Sequence, residues 1–217
     1  MEERENILLV EGRDDERVIK KLIDVGKKSL SATFNIKNCE SNSEVIRQFE
    51  LLLMNSKIHA AIGVILDADE NAQARMDAIK HRLLSTNAYN KDDIVLKNDG
   101  LVLHSTDESR YPKIGVWIMP DNKLPGMLED FLLQMVSDDD LLLTKSEEVL
   151  QTLEQEGINR YTKAHRPKAK IHTYLAWQRE PGKPLSQAIQ SKVLNPESES
   201  SKIFLAWLQR LFCNTNN

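Results

Sequence analysis

The residues with most chemistry to offer in this 217-residue chain are acids placed directly behind apolar runs. ILLVEGRDD (residues 7–15) delivers Glu11 after four aliphatic side chains, and VILDADEN (64–71) delivers Asp67 and Asp69. On an extended backbone, residues two apart share a side, so Asp67 and Asp69 are expected to enter one small space while Ala68 turns away. Carboxylates that close raise one another's pKa unless something positive compensates, and a hard divalent cation is the common solution. Mg²⁺ takes one or two carboxylates, keeps several waters and leaves positions for substrate phosphate, which points to phosphoryl chemistry with Glu11 completing the site. The ordinary alternative is that these are loop acids after strands, with Asp14 or Asp15 capping the next helix.

The elements that must position these acids follow from hydrophobic spacing. Residues 6–11 and 58–66 are near-continuous apolar runs, the pattern of strands covered on both faces of a parallel sheet. Between them, helices are expected over 15–27 and 42–55, with a short strand at 33–37. A helix over 71–84 and strands at 93–97 and 114–119 continue the alternation, while 98–112 lacks periodicity and reads as an insertion or hairpin. This order predicts an α/β fold, a Rossmann-like, mostly parallel sheet flanked by helices, with its site beyond the carboxyl ends of the strands. Glu11 and Asp67 fall at those ends.

From Gly126 onward helices are expected at 126–136, 145–157, 168–179, 184–192 and 200–212. The last places Ile203, Phe204, Trp207, Leu208, Leu211 and Phe212 on one face, so it should dock on the core. The division is an α/β core over 1–136 and a helical C-terminal extension over 137–217 packed on it.

One stretch stands out against a net charge of −4: RYTKAHRPKAKIH, residues 160–172, holds Arg160, Lys163, Arg166, Lys168 and Lys170 with two histidines and no acid. It is the best candidate for contacting nucleic-acid phosphates. Lys168 or Lys170 could meet the charge that develops in a phosphodiester transition state. The competing reading is a solvated basic face, or a docking surface for the protein's own acids.

VEGRDD together with ILDADEN resembles the Toprim family, with its strand-end Glu-Gly and its Asp-X-Asp on a later strand. The resemblance covers roughly the first 135 residues and implies the Toprim version of this fold, with Mg²⁺ or Mn²⁺ at the acids. Glu11 looks like the Toprim glutamate, Asp67 and Asp69 like the Asp-X-Asp pair, and Asp15, or alternatively Asp14, like the additional acid of overcoming-lysogenization-defect (OLD) nucleases. Those relatives also use a lysine at the site, which favours Lys168 or Lys170. IGVWIMPDNKLPGMLEDFL, followed by KAKIHTYLAWQREPGKPLSQAI, further resembles a Toprim-related family, domain of unknown function 3226, over nearly the whole chain. Within it Glu129 and Asp130 offer a second metal subsite or merely complement a helix dipole. Asp121 and Asn122 are secondary candidates in a turn that needs no functional excuse.

The expected function is metal-dependent phosphodiester hydrolysis of DNA or RNA, with Glu11, Asp67, Asp69 and Lys170 or Lys168 as the catalytic set. The resemblance further implies a setting in bacterial anti-phage defence. The non-enzyme alternative is a Toprim-like regulatory or binding subunit working with a separate ATPase, since no Gly-rich phosphate loop precedes a helix here. Self-association is left open. A haloacid-dehalogenase-type phosphatase also uses Asp-X-Asp, but after its first strand, and Asn71 stands where that family has Thr or Val. Cys39 and Cys213 show no metal spacing, the MEEREN start has the wrong sign for a signal peptide, and no apolar run approaches the roughly 20 residues that span a bilayer. A cytoplasmic protein with no membrane partner is the expectation.

Overall fold

The computed structural model describes residues 5–26, 33–55 and 59–213. Lys27 and Ile58, expected at the ends of a helix and a strand, lie outside the described residues, as do the first four residues. Five strands form one sheet: β1 (Glu5–Val10), β2 (Asn35–Asn38), β3 (His59–Asp67), β4 (Leu101–Leu103) and β5 (Lys113–Met119), in the order β2-β1-β3-β5-β4. All neighbours are parallel except β4, which runs antiparallel to β5 at the edge. The mostly parallel α/β sheet read from the sequence is the one observed.

The apolar runs are continuous because both faces are covered. Leu8 and Val10 point into a core built with Val18, Ile19 and Leu22 of α1 (Arg13–Val25), whereas Leu9 between them joins Val45 and Phe49 of α2 (Asn42–Met54). In β3, Val64 and Leu66 face α2 and α3 (Ala72–Ser85), and Ile65 faces the opposite layer. That opposite layer also holds α4 (Leu128–Leu133), α6 (Arg166–Ala176), α7 (Leu185–Gln190) and α8 (Glu199–Phe212). Between α4 and α6 runs α5 (Leu141–Gln155).

The face expected of the last helix is the one it buries, with Phe204, Trp207, Leu208 and Leu211 fully covered. Trp207 Nε1 donates to the Leu101 carbonyl of β4 at 2.9 Å, tying α8 to the sheet edge. Gly63 and Gly115 are register partners on β3 and β5, and both lie beneath Leu211. A Cβ on Gly63 would stand 2.9 Å from Leu211 Cδ2 and 2.6 Å from Leu8 Cδ1, so the missing side chains are what let the helix approach.

One expectation fails. No strand forms over 93–97; the Ile94 N–H is spent on Lys91 O and the Val95 N–H on Asp93 O, local turn bonds in place of a ladder. The edge strand comes instead from 101–103, inside the segment read as an insertion or hairpin, and it runs antiparallel to β5. Leu101 and Leu103 are buried there, while Val95 is exposed.

Candidate functional site

The carboxyl ends of β1 and β3 bring the predicted acids together. Glu11 follows β1 directly, and its Oε1 accepts the backbone N–H of Asp67 at 2.7 Å and the Nδ2 of Asn42 at 3.2 Å. Asp67 closes β3, and its Oδ1 accepts the Leu128 N–H at 3.0 Å, from the start of α4. Asp15, one turn into α1, accepts the Gly12 N–H at 3.1 Å through Oδ2. Gly12 itself is extended, so its value is room: a Cβ there would sit 3.0 Å from that carboxylate oxygen. Asp14, the alternative to Asp15, is exposed and pairs with Arg17 at 3.7 Å.

Asp69 is placed differently from the extended geometry expected of it. Ala68 is buried on the far face as the alternation requires, but Asp69 adopts φ +50° and turns the chain into α3. Its backbone pairs in antiparallel fashion with Gly126, N to O at 2.9 and 2.8 Å, which fastens the loop after β5 to the end of β3. Its carboxylate binds Arg75, whose Nε also donates to the Asp67 carbonyl at 3.2 Å. Arg75 and Asn42 are the site residues that sequence reading missed. The available signal was an arginine one turn into the helix behind Asp-X-Asp, and an amide at the first position of α2.

Electrostatics record the crowding. Asp67 is pushed up to about 9, first by burial and then by the negative charges of Asp15, Glu11, Glu129 and Asp69. Asp15 is pushed up to about 7 by burial and then by Glu11 and Glu129. Burial likewise raises Glu11, with repulsion from Asp69 adding to it, against hydrogen bonding from the Asp67 N–H and Asn42 and attraction from Arg75. Glu129 is 5 % exposed, with Lys168 Nζ at 3.5 Å. Asp130 serves the helix: its Oδ2 accepts the Met127 N–H at 2.9 Å, and burial raises its pKa. Asp121 accepts the Lys123 and Leu124 N–H groups in a turn, and Asn122 is buried between the Ile118 N–H and the Asn98 carbonyl.

The donor set fits a hard divalent cation in its chemistry. It consists of carboxylate oxygens, several buried and mutually repelling, without the thiolates or imidazoles of a structural zinc centre. Among the described residues no group of three or more His, Cys, Asp or Glu stands assembled as a metal cage. An ion that takes one or two carboxylates and completes its shell with water needs no such cage. Glu11 and Asp67 are the pair best placed to hold one.

The basic segment divides. Arg166 Nε meets Glu154 Oε1 at 2.8 Å, and its Nη atoms meet Glu147 at 2.6 and 3.1 Å. Lys170 Nζ meets Glu147 at 2.9 Å. Arg166 first, then Lys170, hold Glu147 down to about 2. These two bases join α6 to α5. Lys168 alone of the five reaches the acidic cluster, while Arg160 and Lys163 are exposed in the turn before α6.

None of the described helices is long and apolar enough to cross a membrane. Comparison with curated proteins and with solved structures finds no match. A family model does match, over residues 5–213, a span that includes both strand-end acids, and the chain thus belongs to the family described as Protein of unknown function (DUF3226).

Proposed function

We propose that the protein is a metal-dependent nuclease of Toprim type, hydrolysing phosphodiester bonds of DNA or RNA with Mg²⁺ or Mn²⁺. The observation that carries this reading is the meeting of Glu11 and Asp67 at the ends of β1 and β3, where Glu11 Oε1 accepts the Asp67 N–H and Asp67 lies buried among the charges of Asp15, Glu11 and Glu129. Glu11 and Asp67 would hold the cation, with Asp69, Asp15 and Glu129 shaping the charge around it. When bound, such an ion neutralises phosphate charge and makes water a better nucleophile at neutral pH.

The chain's own groups supply the rest. Glu11 is locked by the Asp67 N–H and Asn42, and from that fixed position it would take the proton of the attacking water. The water oxygen bonds to phosphorus as the bond to the leaving oxygen breaks. Lys168, poised beside Glu129, faces the charge that accumulates on the phosphoryl oxygens. Lys170 is a weaker candidate because Glu147 holds it.

Cleavage of supercoiled DNA, single-stranded DNA and total RNA with Mg²⁺, Mn²⁺ or EDTA tests this against Asp67→Asn/Asp69→Asn. Metal-dependent cleavage that vanishes in the folded variant is expected; equal cleavage by both proteins, or none, contradicts it. A second reading has one observation in its favour: Arg75 on Asp69 and Lys168 on Glu129 are internal counter-ions. They suit a regulatory subunit that binds a cation and acts through a separate ATPase. The anti-phage setting is compatible with either.

A further inference from the structure

Lys168 and His172 of α6, with His165 just before the helix, lie on one stripe. His165, Lys168, Ala169 and His172 follow at i, i+3, i+4 and i+7, and with Tyr161 they line an open groove of about 400 Å³. No carboxylate lines it among the described residues, in contrast to the face of α6 that carries Arg166 and Lys170. The Tyr161 hydroxyl donates to Glu154 Oε1 at 2.8 Å and lies 3.4 Å from the Leu150 carbonyl, which fixes the ring against the groove. His165 Nδ1 is 3.2 Å from Thr162 Oγ1.

Lys168 belongs to two places at once. It lines the groove, and its Nζ stands 3.5 Å from Glu129, whose charge bears on Asp67 and Asp15. A strand whose reacting phosphate lay at the acids would cross Lys168 and bring its neighbouring nucleotide to the groove. A phenol ring, two imidazoles and a methyl wall beside one ammonium form a surface for stacking a base and holding a phosphate. The internal bases of a duplex are paired and stacked on both faces, so they offer nothing to such a surface.

We propose that the groove of Tyr161, His165, Lys168, Ala169 and His172 is a nucleotide subsite for single-stranded nucleic acid, seating the base next to the scissile phosphate. The placement rests on the acidic cluster being the hydrolytic site; the binding does not. The probes are fluorescent deoxyadenosine and riboadenosine oligomers of about eight nucleotides, and abasic strands of the same length and charge, titrated by anisotropy with Ca²⁺ present.

The intact chain is expected to bind an adenosine strand about tenfold more tightly than its abasic counterpart. Tyr161→Leu/His172→Ala should shrink that advantage to about twofold or less, while Tyr161→Phe, which keeps the ring and loses only the hydroxyl bonds, should retain it. A base advantage with either sugar supports the subsite. Equal affinity for adenosine and abasic strands, no binding of either, or an advantage that survives the double substitution overturns it. Metal-dependent cleavage without a base advantage removes the groove alone; a base advantage without cleavage removes the hydrolytic reading and leaves the groove as a binding site.

Discussion

Glu11 Oε1 and the backbone N–H of Asp67 lie 2.7 Å apart, so the acid that ends β1 is fastened to the residue that ends β3. A buried parallel pair thereby presents two carboxylates at one point, Asp67 as the last residue of β3 and Glu11 as the first after β1. Such rigidity is what a mutually repelling cluster requires.

That bond separates charge from structure. Glu11→Gln keeps an acceptor for the Asp67 N–H and removes the charge, so the fold should persist while cleavage falls by about 100-fold or more. Glu11→Ala leaves the N–H unsatisfied and should cost about 1–3 kcal/mol of stability. Chemical denaturation alongside cleavage kinetics checks both.

The pH dependence of stability follows from Asp67 and Asp15. In the unfolded chain their pKa returns to the ordinary aspartate value near 4. In the fold they rise to about 9 and about 7. Between these limits the native state holds protons that the unfolded state has released, so stability is greatest at the acidic end and falls as pH rises. Thermal melts in EDTA should therefore drop from about pH 5 to pH 9, and Asp67→Asn should flatten the upper part of that decline. At neutral pH the same substitution should raise Tm, by about 2–4 °C for each kcal/mol that protonating Asp67 costs the fold.

Arg166 and Lys168 stand two residues apart on α6 and should behave oppositely. Arg166→Ala leaves Glu147 and Glu154 without their shared partner and should destabilise by about 1–2 kcal/mol. Lys168 is half exposed, so Lys168→Ala should change stability by less than about 1 kcal/mol while lowering cleavage about tenfold or more. Melting curves and initial rates distinguish them.

Gly115→Ala tests how α8 is seated. The added methyl meets Leu211, and overpacking of this kind costs about 1–3 kcal/mol. Leu211→Ala in the same chain should recover part of that loss, as a double-mutant cycle would read.

Much of this was legible in the sequence because its causes are local. Strands with both faces buried must be apolar throughout, and an acid at the end of such a run has one direction in which to go. The α8 face showed itself by helical spacing for the same reason. What stayed hidden depends on partners distant in sequence or on backbone turns. The ion pairs from Arg166 to Glu147 and Glu154 depend on how α5 lies against α6, which no spacing reveals. Asp69 leaves the extended conformation at φ +50°, so the two-residue rule placed Ala68 but not the carboxylate after it. At β4, three residues against an edge carry too little pattern to compete with the longer run at 93–97, where turns take up the N–H groups of Asp93, Ile94 and Val95.

The most direct test of the central claim is Mn²⁺ binding followed by electron paramagnetic resonance on the wild-type chain, Glu11→Gln and Asp67→Asn, each shown to be folded. Saturable binding by the wild type, competed by Mg²⁺ and lost in both variants, is the expected result. Binding of equal strength in all three proteins would mean that the acids at the ends of β1 and β3 are not a cation site.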